Sequence, residues 1–518
     1  MYVEESDEAF EFNADIEGFF DRDLLSTTLQ FDVKINDSID FVSITNYMDM
    51  DKTYGEDTDG LASGFPAAVF DTFYLDNDGE PITVQSFFPD QPSGADLGEF
   101  NFRSDQEFSQ ISQEFRFSGG TDSLLWQAGF YYLDIDTENE AEAYGLVAWW
   151  TGGPASNFQP SQRIVSNWDV TTETLSVFGQ VDFLLSENLT LTAGLRWTED
   201  DKENDFYARY ETKDGVALLE EVDTGTSFPI QPVCYSDRID DRCQNDARDG
   251  DAQDDYSDWA GKLQLDWNIS EDVLAYFGIS KGIKGGNWSA PALPDAINLG
   301  GIERLAHDEE TLYAYEGGLK STLSGGLLRI NVAAFYYDYQ DYQAFSLINF
   351  NQNISNNDAE VTGAELEIFA SPWEGWDFML GAAFLDTDVE GVETPTGLFI
   401  DTEMPQAPEF SANGLARYEF PVGTGSMAAQ IDFTYTGEHW MEVTNAPVDE
   451  EDTYFLANAR LSYYSSEKQW RVAAWVKNIG DEEYRIYALD VAGAPSPFIN
   501  DVYGSPRTYG LTVAYTFE

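Results

Sequence analysis

Two cysteines, two histidines and one tryptophan pair are the residues here whose types and spacing invite chemistry. Cys234 and Cys243 sit in PVCYSDRIDDRC, with eight residues between them. Their Asp, Arg, Ser and Pro neighbours suit a small exposed loop closed by a disulfide, which belongs to an oxidising compartment; two unpaired thiols are the alternative. A zinc site needs further Cys or His ligands nearby, and the segment has none. His307 and His439 are far apart and lie in no recognisable Ser-His-Asp context. GxSxG, HExxH and P-loop motifs are missing from the sequence. Trp149 and Trp150 are adjacent in AYGLVAWWTGGPASNF. Such a pair stacks on a sugar or aromatic ligand, or else packs its own loop or anchors in lipid headgroups. Glu199–Asp258 holds 19 acidic and 6 basic side chains. Calcium would need oxygen ligands in regular register, and no DxDxDG run supplies them; Asp76–Gly79 reads as a turn. The segment reads instead as a solvated, self-repelling loop. These groups point to binding without covalent chemistry. No enzyme activity and no cofactor are expected.

The elements that position them follow from composition and periodicity. The 518 residues include 26 Lys+Arg and 95 Asp+Glu, a formal net charge of −69, which excludes nucleic-acid binding. With 42% hydrophobic and 15% aromatic residues, this is a folded chain and not an acidic tail. It has no apolar run of the roughly 18 residues that mark a transmembrane helix. The dominant signal is period two. Leu189, Leu191, Ala193, Leu195 and Trp197 alternate with Thr190, Thr192, Gly194, Arg196 and Thr198. Tyr509, Leu511, Val513, Tyr515 and Phe517 alternate with Gly510, Thr512, Ala514 and Thr516. Each is a strand with one apolar and one polar face. Tight turns, such as Asn36-Asp37, Ser186–Asn188 and Ser324–Gly326, alternate strictly with long connections such as Asp51–Asp105, Glu199–Asp258 and Gly285–Glu309. A soluble sandwich has no reason to sort its loops by strand direction; an up-and-down membrane barrel does. The aromatic run Phe335–Tyr342 is expected in the interfacial girdle. Inward positions include Arg196, Arg329, Glu365, Glu367, Arg417 and Arg471. Seventeen strands are expected from Thr27 to Phe517, with both end strands running toward the turns. That polarity leaves an antiparallel barrel open.

Several stretches resemble the TonB-dependent outer-membrane receptors. AYFGISKGIKGGNWSA (Ala275–Ala290) is similar to the family's SxGxKxGG strand end. Glu310–Gln343 resembles its E…YE-G-K…R-N-A-FY-DY-D-Q pattern. VTGAELEIFASP (Val361–Pro372), VKNIGDEEY (Val476–Tyr484) and SPRTYGLTVAYTF (Ser505–Phe517) resemble its later strands. The resemblance runs in chain order from about Leu175 to the C-terminus. It implies an all-β, transmembrane up-and-down antiparallel β-barrel, incomplete, with about 17–19 of an expected 22 or so strands and long extracellular loops. Phe20–Tyr47 is similar to the family's fourth and fifth strands, and one further hairpin is sought in Glu199–Asp258. Residues 1–26 read as a loop or strand remnant and 27–518 as the partial barrel. Met1–Phe10, MYVEESDEAF, has no signal-peptide pattern, and the N-terminal plug and coupling box are expected to be absent. The family's C-terminal assembly signal maps to Tyr515 and Phe517, although Glu518 follows where the family ends on an aromatic.

The resemblance implies uptake of a scarce nutrient at the outer membrane of a Gram-negative bacterium. A ferric siderophore ranks ahead of cobalamin or an oligosaccharide. With two histidines the chain lacks the marked loop motifs expected of a haem receptor. Implied partners are outer-membrane lipid and lipopolysaccharide, the barrel-assembly machinery and, for the intact plug-containing protein alone, the TonB energy-coupling complex. Two rival readings remain: a passive plugless channel, and a soluble secreted sugar-binding β-protein using Trp149 and Trp150.

Overall fold

The structure, a computed structural model, describes residues 18–57, 74–75, 81–82, 101–144, 163–211, 233–235, 253–289, 305–348, 351–394, 397–490 and 499–517. They form one antiparallel sheet of nineteen strands, two of them short additions, and four separate two-stranded hairpins. The remaining seventeen make the wall. In chain order they are β1 (Phe19–Asn36), β2 (Ile39–Asp57), β3 (Asn101–Thr121), β4 (Leu124–Tyr144), β5 (Arg163–Ser186) and β6 (Leu189–Glu211). Next come β7 (Gln253–Ser270), β8 (Val273–Lys284), β9 (Glu310–Leu323), β10 (Leu328–Ile348), β11 (Asn351–Ala370) and β12 (Trp376–Glu393). The wall ends with β13 (Phe410–Val422), β14 (Gly425–Thr436), β15 (Tyr454–Tyr464), β16 (Trp470–Lys477) and β17 (Thr508–Tyr515).

Every wall strand pairs with its neighbours in sequence, as in β1–β2, β5–β6 and β16–β17. Among the described residues β1 and β17 do not pair with each other. Both run from the loop side to the turn side, the polarity expected from the sequence. No described helix is long and apolar enough to cross a membrane.

The strands form because their side chains sort by face. On β6, Leu195 and Trp197 are exposed on the outer face, while Thr192 and Thr198 are buried on the inner one. On β17, whose other edge is unpaired among the described residues, Tyr509, Leu511 and Val513 are 82%, 78% and 63% exposed, an apolar outward row suited to lipid. Bands of aromatics bound the apolar rows. On the turn side Phe378, Trp376, Tyr418 and Phe420 stack in a continuous series with centroids 4.6–5.4 Å apart. Tight turns pin the register. At Gly375 φ is +78°, and a Cβ would lie 2.1 Å from the Glu419 carbonyl oxygen, so only glycine fits there.

Two expectations are sharpened. The strands run further toward the loop side than periodicity alone suggests; β6 continues to Glu211 because its register with β5 and β7 persists beyond the apolar rows. In place of a further hairpin between β6 and β7, the described residues hold one short strand, Val233–Tyr235, paired with Phe206–Ala208 of β6.

Candidate functional site

The loop-side mouth is where the wall strands give way to connections that turn inward over the polar face. Arg196, on the inner face of β6, donates to Ser176 Oγ (2.8 Å) and lies over the Tyr131 and Phe178 rings. At the opposite, turn-side end of the inner face, Arg417 is bound to Asp377 (3.1 Å) and Glu419. Asn331 donates to Glu367 (3.1 Å). A groove of about 380 Å³ in the inner wall is lined by Glu365, Glu367, Gly381, Asn413 and their neighbours. The inner face is therefore wettable, and some of its charges are paired, as at Arg417.

Above it the connection between β8 and β9 folds inward. Asn287-Trp288 pairs with Ala306-His307 as a short hairpin. Two consecutive glycines make the bend. A Cβ on Gly286 would lie 2.6 Å from the His307 carbonyl oxygen, and one on Gly285 would lie 3.1 Å from both Asp200 and Lys202. Two side chains clasp the bend from opposite sides. Lys202 of β6 donates to the Gly286 carbonyl (2.5 Å) and Gln343 of β10 donates to the Gly285 carbonyl (3.0 Å). The KGG spacing is therefore explained by close backbone approach, not by ligand chemistry. His307 is buried behind the bend. Burial, with Lys202 and Lys284 nearby, pushes its pKa down to about 4.

From there, side-chain amides tie one connection to the next. Asn356 donates to the Asp308 (3.0 Å) and Asp341 (2.9 Å) carbonyls. Asn357 donates to Glu390 (2.9 Å), and Asn445 to Glu403 (3.1 Å). Beneath these ties Ala344, Ala359, Val389, Val392 and Val443 form a dry cluster. The last link is Arg485, which binds Glu451 (2.8 Å), Asp501 (3.1 Å) and the Val448 carbonyl (2.9 Å). Burial holds the Asp501 carboxyl above the usual range, partly offset by Arg485. Two of the sequence motifs meet here. Asn478 donates to Glu482 and Ser505, and Asp481 receives the Arg507 guanidinium at 2.9 Å. Positive φ at Asn478 (49°) and Asp481 (60°) shapes the turn that presents them.

Of the expected site residues, Trp149, Trp150 and Cys243 lie outside the described residues, as does Asp76–Gly79. Cys234 falls in the short strand beside Tyr207. Tyr515 closes β17 against Trp470 and Phe517, each 4.8 Å between centroids. The run Phe335–Tyr342 divides. Tyr336 faces outward in the girdle, but Phe335 and Tyr337 stack (4.7 Å) on the inner side. A bulge at Asp341 turns Tyr339 and Tyr342 under the connections. Neither histidine is displayed: His439 is buried beside the Gly437 carbonyl (2.9 Å). Among the described residues no three His, Cys, Asp or Glu side chains converge to hold a metal. Lys202 and Gln343 carry no motif a sequence reader would single out, since their role depends on a contact across the mouth.

Comparison with known proteins gives a consistent picture. Residues 5–479 match the family model described as "TonB dependent receptor-like, beta-barrel". A pesticin receptor of Yersinia pestis is 19% identical over 360 residues, 69% of this chain and 46% of the relative. The chain thus spans about half the length of the curated relatives it matches. The ferric yersiniabactin uptake receptor FyuA of Yersinia pestis superposes with TM-score 0.69 at 16% identity, covering 97% of this chain and 62% of that one. The siderophore receptor PiuA of Acinetobacter baumannii gives 0.64 at 13% identity, covering 97% and 66%.

Proposed function

Because this chain belongs to the TonB-dependent receptor family of outer-membrane β-barrels, we propose that it is the barrel wall of an uptake receptor for a ferric siderophore. The observation that carries the reading is the mouth: inward connections tied by Asn356, Asn357, Asn445 and Arg485 over a polar lumen. That arrangement suits capture of a compact polar chelate. The pesticin and ferric-siderophore receptors to which the chain is similar support this ligand class above cobalamin or an oligosaccharide. In this reading a plug from polypeptide outside this chain fills the lumen and couples to the inner-membrane motor. Trp149 and Trp150 contact the ligand, and Cys234 and Cys243 form a disulfide that staples the β6–β7 connection. Barrel-assembly machinery reads the end of β17 at Tyr515 and Phe517.

The test is iron-55 uptake by iron-starved cells offered purified siderophores of different classes. Expected is energy-dependent uptake of one class, lost on gene deletion and reduced at least tenfold by Trp149→Ala/Trp150→Ala. Uptake unchanged by deletion for every class tested would sink the siderophore reading. The rival passive channel predicts a large steady conductance in planar bilayers for the whole protein.

A further inference from the structure

One charge on the inner wall has no counterpart there. Arg196 of β6 spends one edge of its guanidinium on the wall itself: Nε donates to Thr198 Oγ1 (3.2 Å) and Nη2 to Ser176 Oγ (2.8 Å). Both acceptor residues are buried, and the two hydroxyls lie 3.0 Å apart, matched to that edge. Beneath the group are the Tyr131 and Phe178 rings, with centroids 5.2 and 5.9 Å from its Cζ. Phe178 can lie there because its partner on β4 is Gly129, where a Cβ would come within 2.4 Å of the ring. Side chains of β4, β5 and β6 thus fix the guanidinium. Nη1, and the outer edge it shares with Nη2, are left without an acceptor among the described residues.

The acids nearby are already engaged. Glu114, which faces Tyr131, is bound by Arg116 (3.3 Å). Asp182 accepts from Gln180 (3.1 Å) and Thr192 (2.8 Å), and Asp200 from Thr174 (2.7 Å). Of the other half-buried arginines described, Arg116, Arg417 and Arg485 are each bound by a carboxylate. Arg460 has none and donates to Ser462 (3.3 Å), but rests on no described ring. Arg196 also lies deep in the wall. Its neighbours Leu195 and Trp197 face outward, and Lys202, which clasps the mouth hairpin, stands roughly 20 Å further along β6. A chelate held at the mouth is therefore remote from it. In an open lumen water solvates the free edge. Polypeptide filling the lumen displaces that water, and a guanidinium taken out of water needs an acid to pair with.

We propose that Arg196 is the seat on the barrel wall for a carboxylate side chain of the polypeptide that fills the lumen. The free Nη1–Nη2 edge grips that carboxylate through two parallel hydrogen bonds. The proposal rests on the receptor reading above. The relatives are long enough to contain such polypeptide, since this chain spans 46% of the pesticin receptor and 62% of FyuA.

The test uses the intact protein from outer membranes, without added chelate, so that no chelate carboxylate supplies the signal. Arg196→Lys is treated with a carbodiimide, which joins an amine to a carboxylate in contact with it, and the linked peptides are identified by mass spectrometry. Expected is a link from position 196 to a peptide outside these 518 residues. The exposed pair Lys34 and Asp40, 4.0 Å apart, serves as the control for the reaction. A link only to wall acids such as Glu114 or Asp182, or none while the control pair couples, overturns the proposal. In planar bilayers under rising urea, Arg196→Gln is expected to open a steady conductance at lower urea than the wild type, and Arg196→Lys to restore part of the difference. An unchanged threshold in a closed wild type overturns this proposal alone. A wild type that conducts steadily without urea removes the receptor reading and the proposal with it. Heat-modifiable migration reports assembly, and should one variant fail to assemble the other decides.

Discussion

At the scale of single residues, Arg485 and His307 show what burial does to charge at the mouth. Arg485 is only 14% exposed and its partner Glu451 9%. Removing one member of such a pair leaves the other charge uncompensated, a loss of about 3–5 kcal/mol when fully buried. Arg485→Ala is therefore expected to open residues 439–451 and 499–503 locally. Hydrogen exchange there should rise by two orders of magnitude or more while β4–β6 stay protected. His307 gives a pH prediction. Its folded pKa, about 4, lies below the ordinary 6.5, so folding disfavours its protonation. The stability it contributes is complete above pH 6.5 and is lost as pH falls toward 4. The inward hairpin of the wild type should loosen across that window, and His307→Gln should flatten the response. Exchange of the Gln343 side-chain amide, read by NMR between pH 7 and 4, checks both.

Elements respond through their faces. Leu195 (59% exposed) and Val513 (63%) sit in the outward rows of β6 and β17. Arginine at either should cost about 2–4 kcal/mol if the site lies at mid-bilayer. The measurement is the denaturant midpoint of folding into vesicles, and inward Thr192→Arg serves as the contrast with a smaller penalty. Elements were also what the sequence showed most plainly. Alternation at Leu189–Trp197 and Tyr509–Phe517, with turns at Asn36-Asp37 and Ser324–Gly326, located strands and their order because a one-sided wall leaves that pattern in every strand. The mouth was less legible. Lys202, Gln343, Asn356 and Asn445 act on backbone carbonyls from other connections, up to 84 residues away in the case of Lys202. No local pattern encodes such a contact. The bulge at Asp341 likewise turned an apparent girdle run into three environments, because one register shift sends side chains to different faces. The KGG and N-I-G-D motifs were visible as resemblance, and only the structure shows that close approach and turn shape account for them.

For the whole molecule the relevant quantity is how charge is distributed. The formal −69 is not spread evenly: acids oppose one another across β4–β7, as Asp134, Glu173, Asp201 and Asp255 do, while on the inner face Arg417 is paired with Asp377. Repulsion across opposed carboxylates is screened over about 10 Å at 0.1 M salt and about 30 Å at 0.01 M. The thermal midpoint of the folded barrel should therefore rise with NaCl between these concentrations, as followed by the heat-modifiable band. A salt-independent midpoint would mean that these opposed carboxylates are neutralised by other means.

The wall is also uneven in height. β5 has 24 residues and β17 has 8, contours of roughly 79 and 26 Å along the strand at about 3.3 Å per residue. A rim so sloped has a sill and a parapet. On the β4–β6 side the described strands make a tall acidic parapet; over β15–β17 the strands are short and the hairpins tied by Arg485 stand in for their height.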